Sequence, residues 1–413
     1  MQKMDISSRR IFQGDTVIWV VFFLLCMISL IEVFSAASTL TYKSGDFMAP
    51  FFKQLLFLGL GTGVVWFFHA IPCRYFKIIP LFFLPLCIVL LLVTLFFGSS
   101  ENGGARWLDL GIRFQPSELA KGVVIVSVAL ILSHMQREEG ADRRAFKLIL
   151  TITGIVCTLI VSENLSTAAI LFTTVFIMMF IGRVPMQQLG RLIAFFAAII
   201  AFFVLLVTIL PQKAIDEVGF LHRMETWKSR ITSHTQETTN DTLFLQEHAQ
   251  EAHANIAIAS SNIVGKMPGN SDQRDHLSQA FSDFIYAIII EEMGIFGALL
   301  VLFLYIILLF RAGRISSRCE RSFPAFLTMG LALLLVIQAM INMLVAVGLI
   351  PITGQPLPLI SRGGTSTLIT CVYFGMMLSV SRYARKNDIP AQHDNPSGAD
   401  SAEQAFHSNE GLA

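Results

Sequence analysis

Apolar residues along this chain come in long blocks broken by short polar stretches. A membrane-spanning helix needs about 20 mostly apolar residues. Ten blocks approach or exceed that length: 16–37, 51–70, 78–98, 117–135, 147–161, 165–182, 191–210, 284–310, 325–348 and 365–381. The fifth is the shortest. The first is too long for a secretory leader and lacks a small-residue cleavage site, so it reads as a membrane helix. Residues 211–283 form the one long polar interruption, and 387–413 a polar tail rich in Ser, Asn and Ala that is expected to be disordered. The pattern predicts an all-α integral membrane protein. It has a short N-terminal tail (1–15), a domain of ten transmembrane helices (16–386) and a large loop (211–283) between helices seven and eight.

Composition agrees. Of 413 residues, 54% are hydrophobic and 14% charged, where a soluble domain carries about 25% charge. A net charge of +1 excludes nucleic acid as an electrostatic partner. Six cysteines show no CxxC pair, so they read as small buried hydrophobes rather than metal ligands or disulfides. Basic residues set the orientation. Arg9, Arg10, Arg74, Lys77, Arg143, Arg144, Arg311, Arg314, Arg385 and Lys386 fall on one side, and only Lys43, Arg106, Arg113 and Arg362 in the short loops of the other. Both termini are therefore expected in the cytoplasm, and the 211–283 loop outside it. Within that loop "RMETWKSRI" (223–231) and "HANIAIASSNIVGK" (253–266) suggest short amphipathic elements.

Four polar stretches need a reason. "NGGARWLDLGIRFQPSELAK" (102–121) has a turn at Asn102, Gly103 and Gly104, and Pro116 suited to a first helical turn. Glu118 and Lys121 are then i, i+3 neighbours on one face. Their arrangement reads equally as a structural ion pair or as part of a polar cleft. "SENLSTAA" (162–169) is a tight hairpin carrying Glu163 and Asn164. "GLIPITGQPLPLISRGGTST" (348–367) is rich in Pro and Gly and cannot be regular. Irregular backbone at a membrane survives only where it is buried in protein or lines an aqueous cavity. Ser361, Arg362, Gly363 and Gly364 could present N–H groups and a guanidinium to an anion. "SQAFSDFIYAIIIEEMG" (278–294) sets Asp283 at a helix mouth, where it could serve as a cap, and Glu291 and Glu292 deeper in the same helix. At 100° per residue Glu291 lies about 80° round from Asp283, and Glu292 on the opposite side. Glu291 is therefore expected to extend a cleft with Asp283, and Glu292 to tie its helix to a neighbour. All four stretches gather on the outer side, which points to one outward-facing polar site.

These same residues resemble the signatures of the SEDS family (shape, elongation, division and sporulation proteins). The 102–121 stretch is similar to NGA-RW-DLG-FQPSE-AK, 348–366 to G-LP-TG-PLP-ISYGGSS, and 282–294 to HTDFIFA-IGEE-G, in the family's order and over about 15–386. The resemblance implies a ten-helix fold and a peptidoglycan glycosyltransferase. Such an enzyme polymerises lipid II at the outer face of the bacterial cytoplasmic membrane, beside a class B penicillin-binding transpeptidase and other divisome membrane proteins. "GKMPGNS" (265–271) is closer to the FtsW-like division branch than to the RodA-like elongation branch. By position, the family's essential aspartate falls on Asp283, its RW arginine on Arg106, and its PSE-AK pair on Glu118 and Lys121. The chain departs from the pattern at Phe281-Ser282, where the family has His-Thr, at 162–167, at Ser260-Ser261-Asn262, and at Arg362, where it has Tyr.

The chemistry implied needs a general base for the attacking sugar hydroxyl and positive charge for the departing pyrophosphate. Asp283 is the expected base, and Arg106, Lys121 and Arg362 the expected cations. No motif specifies a metal, although a divalent cation (Mg or Mn) would suit a pyrophosphate. A lipid II flippase is the alternative, but a transporter would be expected to show internal repeats, and none is evident.

Overall fold

The computed structural model describes residues 13–35, 48–101, 104–109, 113–138, 140–209, 249–274, 277 and 282–387. Helices α1 (Thr16–Ser35), α2 (Ala49–Ala70), α3 (Ile79–Phe97), α4 (Pro116–His134), α5 (Arg143–Glu163), α6 (Leu165–Ile181) and α7 (Met186–Ile209) come before the polar loop. α8 (Ala249–Ser260) lies within it, and α9 (Ile285–Arg318), α10 (Ser322–Ala346) and α11 (Thr365–Asn387) follow. The element expected at 253–266 is thus the end of α8 and a loop. The one at 223–231, the 1–12 tail, most of the 387–413 tail and the turn at Asn102-Gly103 lie outside the described residues.

Among the described residues seven helical segments are long and apolar enough to cross a membrane: Thr16–Ser35, Ala49–Ala70, Cys73–Phe97, Pro116–His134, Arg143–Glu163, Ile285–Arg318 and Ser322–Ala346. Local chemistry sets several of their starts. Proline occupies the first turn of α2, α3 and α4, where its missing N–H costs nothing. Asp142 caps α5 by accepting from Arg144 N at 3.0 Å. Asn164 both ends α5 and caps α6, accepting from Ser166 N at 2.9 Å.

The chain is not purely helical. After α3, strands β1 (Ser99–Glu101), β2 (Gly104–Asp109) and β3 (Arg113–Phe114) form an antiparallel sheet in that order. Ser100 lies opposite Ala105, and Leu108 opposite Phe114. After α4, β4 (Gln136–Arg137) pairs with β5 (Gly140–Ala141). No apolar period marks strands this short, which is why block reading misses them.

Helices α4 and α10 are buried along most of their length and pack on one another at the centre. α3 is peripheral. Its Leu81, Phe96 and Phe97 are 71%, 75% and 81% exposed, as lipid-facing side chains should be.

α9 is broken. Gly294 sits at φ 67°, outside helical geometry, and the break frees carbonyls that would otherwise bond within the helix. The 263–267 segment takes them: Lys266 N donates to Glu291 O at 2.9 Å and Met267 N to Glu292 O at 2.8 Å. The contact is backbone to backbone. A Cβ on Gly265 (φ +81°) would stand 2.3 Å from Glu292 O, and one on Gly294 2.4 Å from Ile263 O.

Gly265→Val should therefore lower the midpoint of thermal unfolding in detergent. The left-handed backbone alone costs about 1–3 kcal/mol, before the clash is counted. Gly59→Ala, whose Cβ meets nothing within 4 Å, should leave the midpoint in place. Equal midpoints for the two variants would mean the segment does not dock on the break.

Candidate functional site

Between α10 and α11 the chain runs as irregular backbone from Gly348 to Gly364. It does not stay at the surface: Gln355, Leu357, Leu359, Ile360 and Ser361 are all buried. Buried carbonyls need donors, and three helices supply them. Gln338 Nε2 donates to Pro356 O at 3.0 Å, and Asn342 Nδ2 to Gln355 O at 2.8 Å. Ser29 Oγ of α1 donates to Ile360 O at 2.9 Å, and the Tyr305 hydroxyl of α9 to Pro358 O. Gln355 Nε2 in turn donates to Thr167 Oγ1 at the start of α6, at 2.8 Å. Leu359 is held at φ 66°, a conformation that a non-glycine residue keeps only where its surroundings impose it.

The same clamp fixes Asp283. Asn342 Nδ2 also donates to Asp283 O at 2.9 Å. Ser361 Oγ donates to Ser282 O at 2.7 Å and accepts from Leu357 N at 2.7 Å. The Asp283 carboxylate accepts from Ser282 Oγ at 2.9 Å and is half-buried. It does not cap α9: the N-cap is Phe284, with no side-chain capping bond. The backbone on both sides of this carboxylate is therefore pinned by the 348–364 loop and α10.

One layer below lies the ion pair. Lys121 Nζ is 2.8 Å from Glu118 Oε1 and donates to Gln338 Oε1 at 2.7 Å. Lys121 is 0% exposed and Glu118 4%. Tyr373 of α11 donates to Glu118 O at 2.7 Å. A continuous chain of polar contacts thus runs from α4 through Gln338 to the irregular loop, and through Asn342 to Asp283.

The other expected site residues divide. Arg362 follows Ser361 directly and is half-buried. Gly363 O accepts from Ser366 N at 3.0 Å as α11 begins, with Gly364 at φ +52° between them. Arg106 lies on β2, beside the α3 and α4 ends. Glu163 is buried at the end of α5, and Asn164 serves as the α6 cap. Glu291 does not extend the cleft beside Asp283. It is fully buried against the 266–273 segment, taking Lys266 Nζ at 2.8 Å, Asp272 N at 3.1 Å and the Ser271 hydroxyl. Glu292 accepts from the Ser35 hydroxyl of α1, with Arg274 Nη1 3.9 Å away.

Gln338, Asn342, Gln355 and Tyr373 escaped the sequence reading. The signal for two of them was present: Gln338 and Asn342 are amides four residues apart on one face of an apolar helix, and polar groups inside a membrane helix usually have work to do. Among the described residues no three His, Cys, Asp or Glu side chains converge on one point.

Outside the helices, the Lys266 ammonium is held above its ordinary value by its bonds to Asp272 and then Glu291. The Asp272 carboxyl is held below its own by Lys266.

Known proteins resemble this chain over nearly its whole length. The family model described as "Cell cycle protein", covering FtsW, RodA and SpoVE, matches residues 15–386. Stage V sporulation protein E of Bacillus subtilis is 30% identical over 381 residues, spanning 90% of this chain and 98% of that protein. A probable peptidoglycan glycosyltransferase FtsW of Coxiella burnetii is 28% identical over 374 residues, spanning 88% and 95%. Peptidoglycan glycosyltransferase MrdB of Escherichia coli K12 is 28% identical over 345 residues, spanning 83% and 88%. Among solved structures, a chain from a peptidoglycan synthase complex superposes with a TM-score of 0.67 at 23% identity, over 90% of this chain and 98% of that one. The rod shape determining protein RodA of Thermus thermophilus follows with 0.60 at 23%, over 89% and 97%. At such identity the structures speak for the fold.

Two outcomes follow from this geometry. Removing one partner of a buried ion pair costs about 3–5 kcal/mol, because a lone buried charge remains. Lys121→Met should therefore destabilise the detergent-solubilised protein strongly, and Glu118→Gln with Lys121→Met should recover much of the loss. A double variant as unstable as the sum of the singles would deny the coupling. The second outcome concerns pH. Asp272 has a depressed pKa when folded, so its contribution is present above its ordinary value of 3.8 and lost as pH falls below that. Lys266 has a raised pKa, so its contribution is present below 10.5 and lost as pH climbs beyond it. The gap in unfolding midpoint between wild type and Asp272→Asn should be small, as for any exposed pair, level across neutral pH, and closed at both extremes. A gap that survives titration of the carboxylate would remove charge as its cause.

Proposed function

The chain belongs to the FtsW/RodA/SpoVE family of cell-cycle proteins, and from that membership we propose that it polymerises lipid II into peptidoglycan glycan strands. It is read as a bacterial inner-membrane protein of ten transmembrane helices, with both termini in the cytoplasm and the Asp283 site outside. Relatives in both the FtsW and MrdB branches are named peptidoglycan glycosyltransferases. Within the family the GKMPGNS segment favours the FtsW-like branch and hence the division septum over an elongation role. The natural partner is a class B penicillin-binding transpeptidase, with other divisome membrane proteins around it. In support, a structural neighbour comes from a peptidoglycan synthase complex that coordinates polymerization and crosslinking.

The observation that carries this reading is the pinned Asp283. A general base must keep its geometry while a lipid-linked substrate arrives and leaves, and the contacts of Asn342 and Ser361 with the backbone at 282–283 do that. In the proposed step the Asp283 carboxylate takes the proton of the acceptor N-acetylglucosamine 4-hydroxyl. The resulting oxygen attacks C1 of the donor N-acetylmuramic acid from the face opposite the pyrophosphate. The C1–O bond to phosphate breaks, undecaprenyl pyrophosphate leaves with the electron pair, and C1 is inverted. Arg362 and Arg106 are assigned to the pyrophosphate charge. Ser361, Gly363 and Gly364 shape the loop that presents Arg362. Lys121, enclosed and already bonded to Glu118 and Gln338, is assigned to holding that loop from below rather than to touching substrate.

Asp283→Asn should reduce glycan polymerisation from purified lipid II, with the transpeptidase partner present, by about 100-fold or more, while its unfolding midpoint stays near wild type. A folded Asp283→Asn protein that polymerises at the wild-type rate would sink the base assignment.

A further inference from the structure

A cleft of about 540 Å³ opens at the end of the bundle far from Asp283. Asp283 lies just before α9 and Arg318 is its last residue. The part of that helix beyond the break at Gly294 alone reaches about 35 Å at 1.5 Å per residue. The cleft is walled by the 3₁₀ turn Cys73–Ile78, by the turn between α9 and α10, and by the end of α11.

Its charge is one-sided. Arg74 and Lys77 enter from the 3₁₀ turn, and Arg318 and Arg321 from the α9–α10 turn; Glu320 is the single carboxylate among the lining residues. All four cations are exposed. Two rest on aromatic rings: Arg74 lies 4.9 Å from the Tyr75 ring centre and bonds its hydroxyl at 3.1 Å, and Lys77 lies 5.4 Å from that of Phe323. The floor is apolar, with Cys73, Phe323, Val380 and Ala384 buried.

The surface turns apolar directly beside this charge. Ile78, Leu81 and Phe82, where the 3₁₀ turn becomes α3, are 48%, 71% and 64% exposed. Tyr75 and Tyr383 are exposed at the rim, as aromatic residues are at a membrane interface. A fitting ligand has an anionic head for the cations and a hydrocarbon body for the flank of α3. An acidic peptide has no use for that flank. A choline headgroup would bring a fifth cation to the site.

We propose that this cleft binds the phosphate headgroup of an anionic phospholipid whose acyl chains lie along α3. By the distribution of Lys and Arg it faces the cytoplasmic leaflet. The proposal does not depend on the polymerase reading, since no residue of the Asp283 site takes part and its test reads lipid rather than glycan.

The test uses the full chain purified in detergent and exchanged against phosphatidylglycerol or phosphatidylcholine of matched chains, with retained lipid counted by native mass spectrometry. Wild type should retain phosphatidylglycerol over phosphatidylcholine. The triple variant Arg74→Gln, Lys77→Gln, Arg321→Gln should lose about 100-fold of that preference, at about 1 kcal/mol per cation and about 1.4 kcal/mol per tenfold. Glu320→Gln should strengthen it. These positions are exposed, and unchanged unfolding midpoints would verify that the variants fold. Equal retention of the two lipids, or equal preference in wild type and the triple variant, would overturn the proposal. So would displacement of phosphatidylglycerol by glycerol 3-phosphate alone, which would assign the site to a free phosphate. Saturable capture of polyglutamate with no lipid preference would assign it to a protein partner instead.

Discussion

Irregular backbone inside a membrane bundle has nowhere to send its carbonyls except to protein. An unsatisfied group there costs several kcal/mol. The 348–364 segment is placed in that position, and side chains from α1, α9 and α10 meet its carbonyls one after another. Each helix that donates is thereby held at a set depth and rotation. The donors Asn342 and Gln338 do more than satisfy the loop, because Asn342 also bonds the Asp283 carbonyl and Gln338 also takes the Lys121 ammonium. Loop, Asp283 backbone and buried ion pair form one hydrogen-bonded unit.

The break in α9 works by the same rule from the other direction. Gly294 interrupts the helix and leaves the Glu291 and Glu292 carbonyls without their usual partners, and the end of the polar loop supplies N–H groups to both. The Glu291 carboxylate strengthens the dock by collecting Lys266, Asp272 N and Ser271. Glu292 extends it to α1 through Ser35. The costly carboxylates of this apolar helix therefore anchor the 266–273 segment on the way to Asp283.

Charge is divided between the two ends of the bundle. On the Asp283 side Lys121 is fully enclosed and already paired with Glu118. At the far end Arg74, Lys77, Arg318 and Arg321 stand exposed around an apolar floor.

Apolar block length set out most helices in advance, because a span must bury its backbone in its own hydrogen bonds whatever its neighbours are. Composition against that background also singled out Asp283, Arg362, Glu118 and Lys121, since polar residues between or inside apolar blocks are conspicuous. The short strands at 99–114 escaped because they carry no period. Glu291 was misplaced because a helical wheel cannot tell an aqueous cleft from a docked loop on the same side. Partnership is a property of packing: Gln338 reaches Pro356 and Lys121, Asn342 reaches Asp283 and Gln355, and Arg74 meets Arg321 at one cleft only once α3, α9 and α11 are assembled. The sequence by itself determined which residues must be in the membrane and which polar ones needed an explanation. The tertiary structure decided what each of those touches, because hydrogen bonds depend on distances across helices that no spacing along one helix contains.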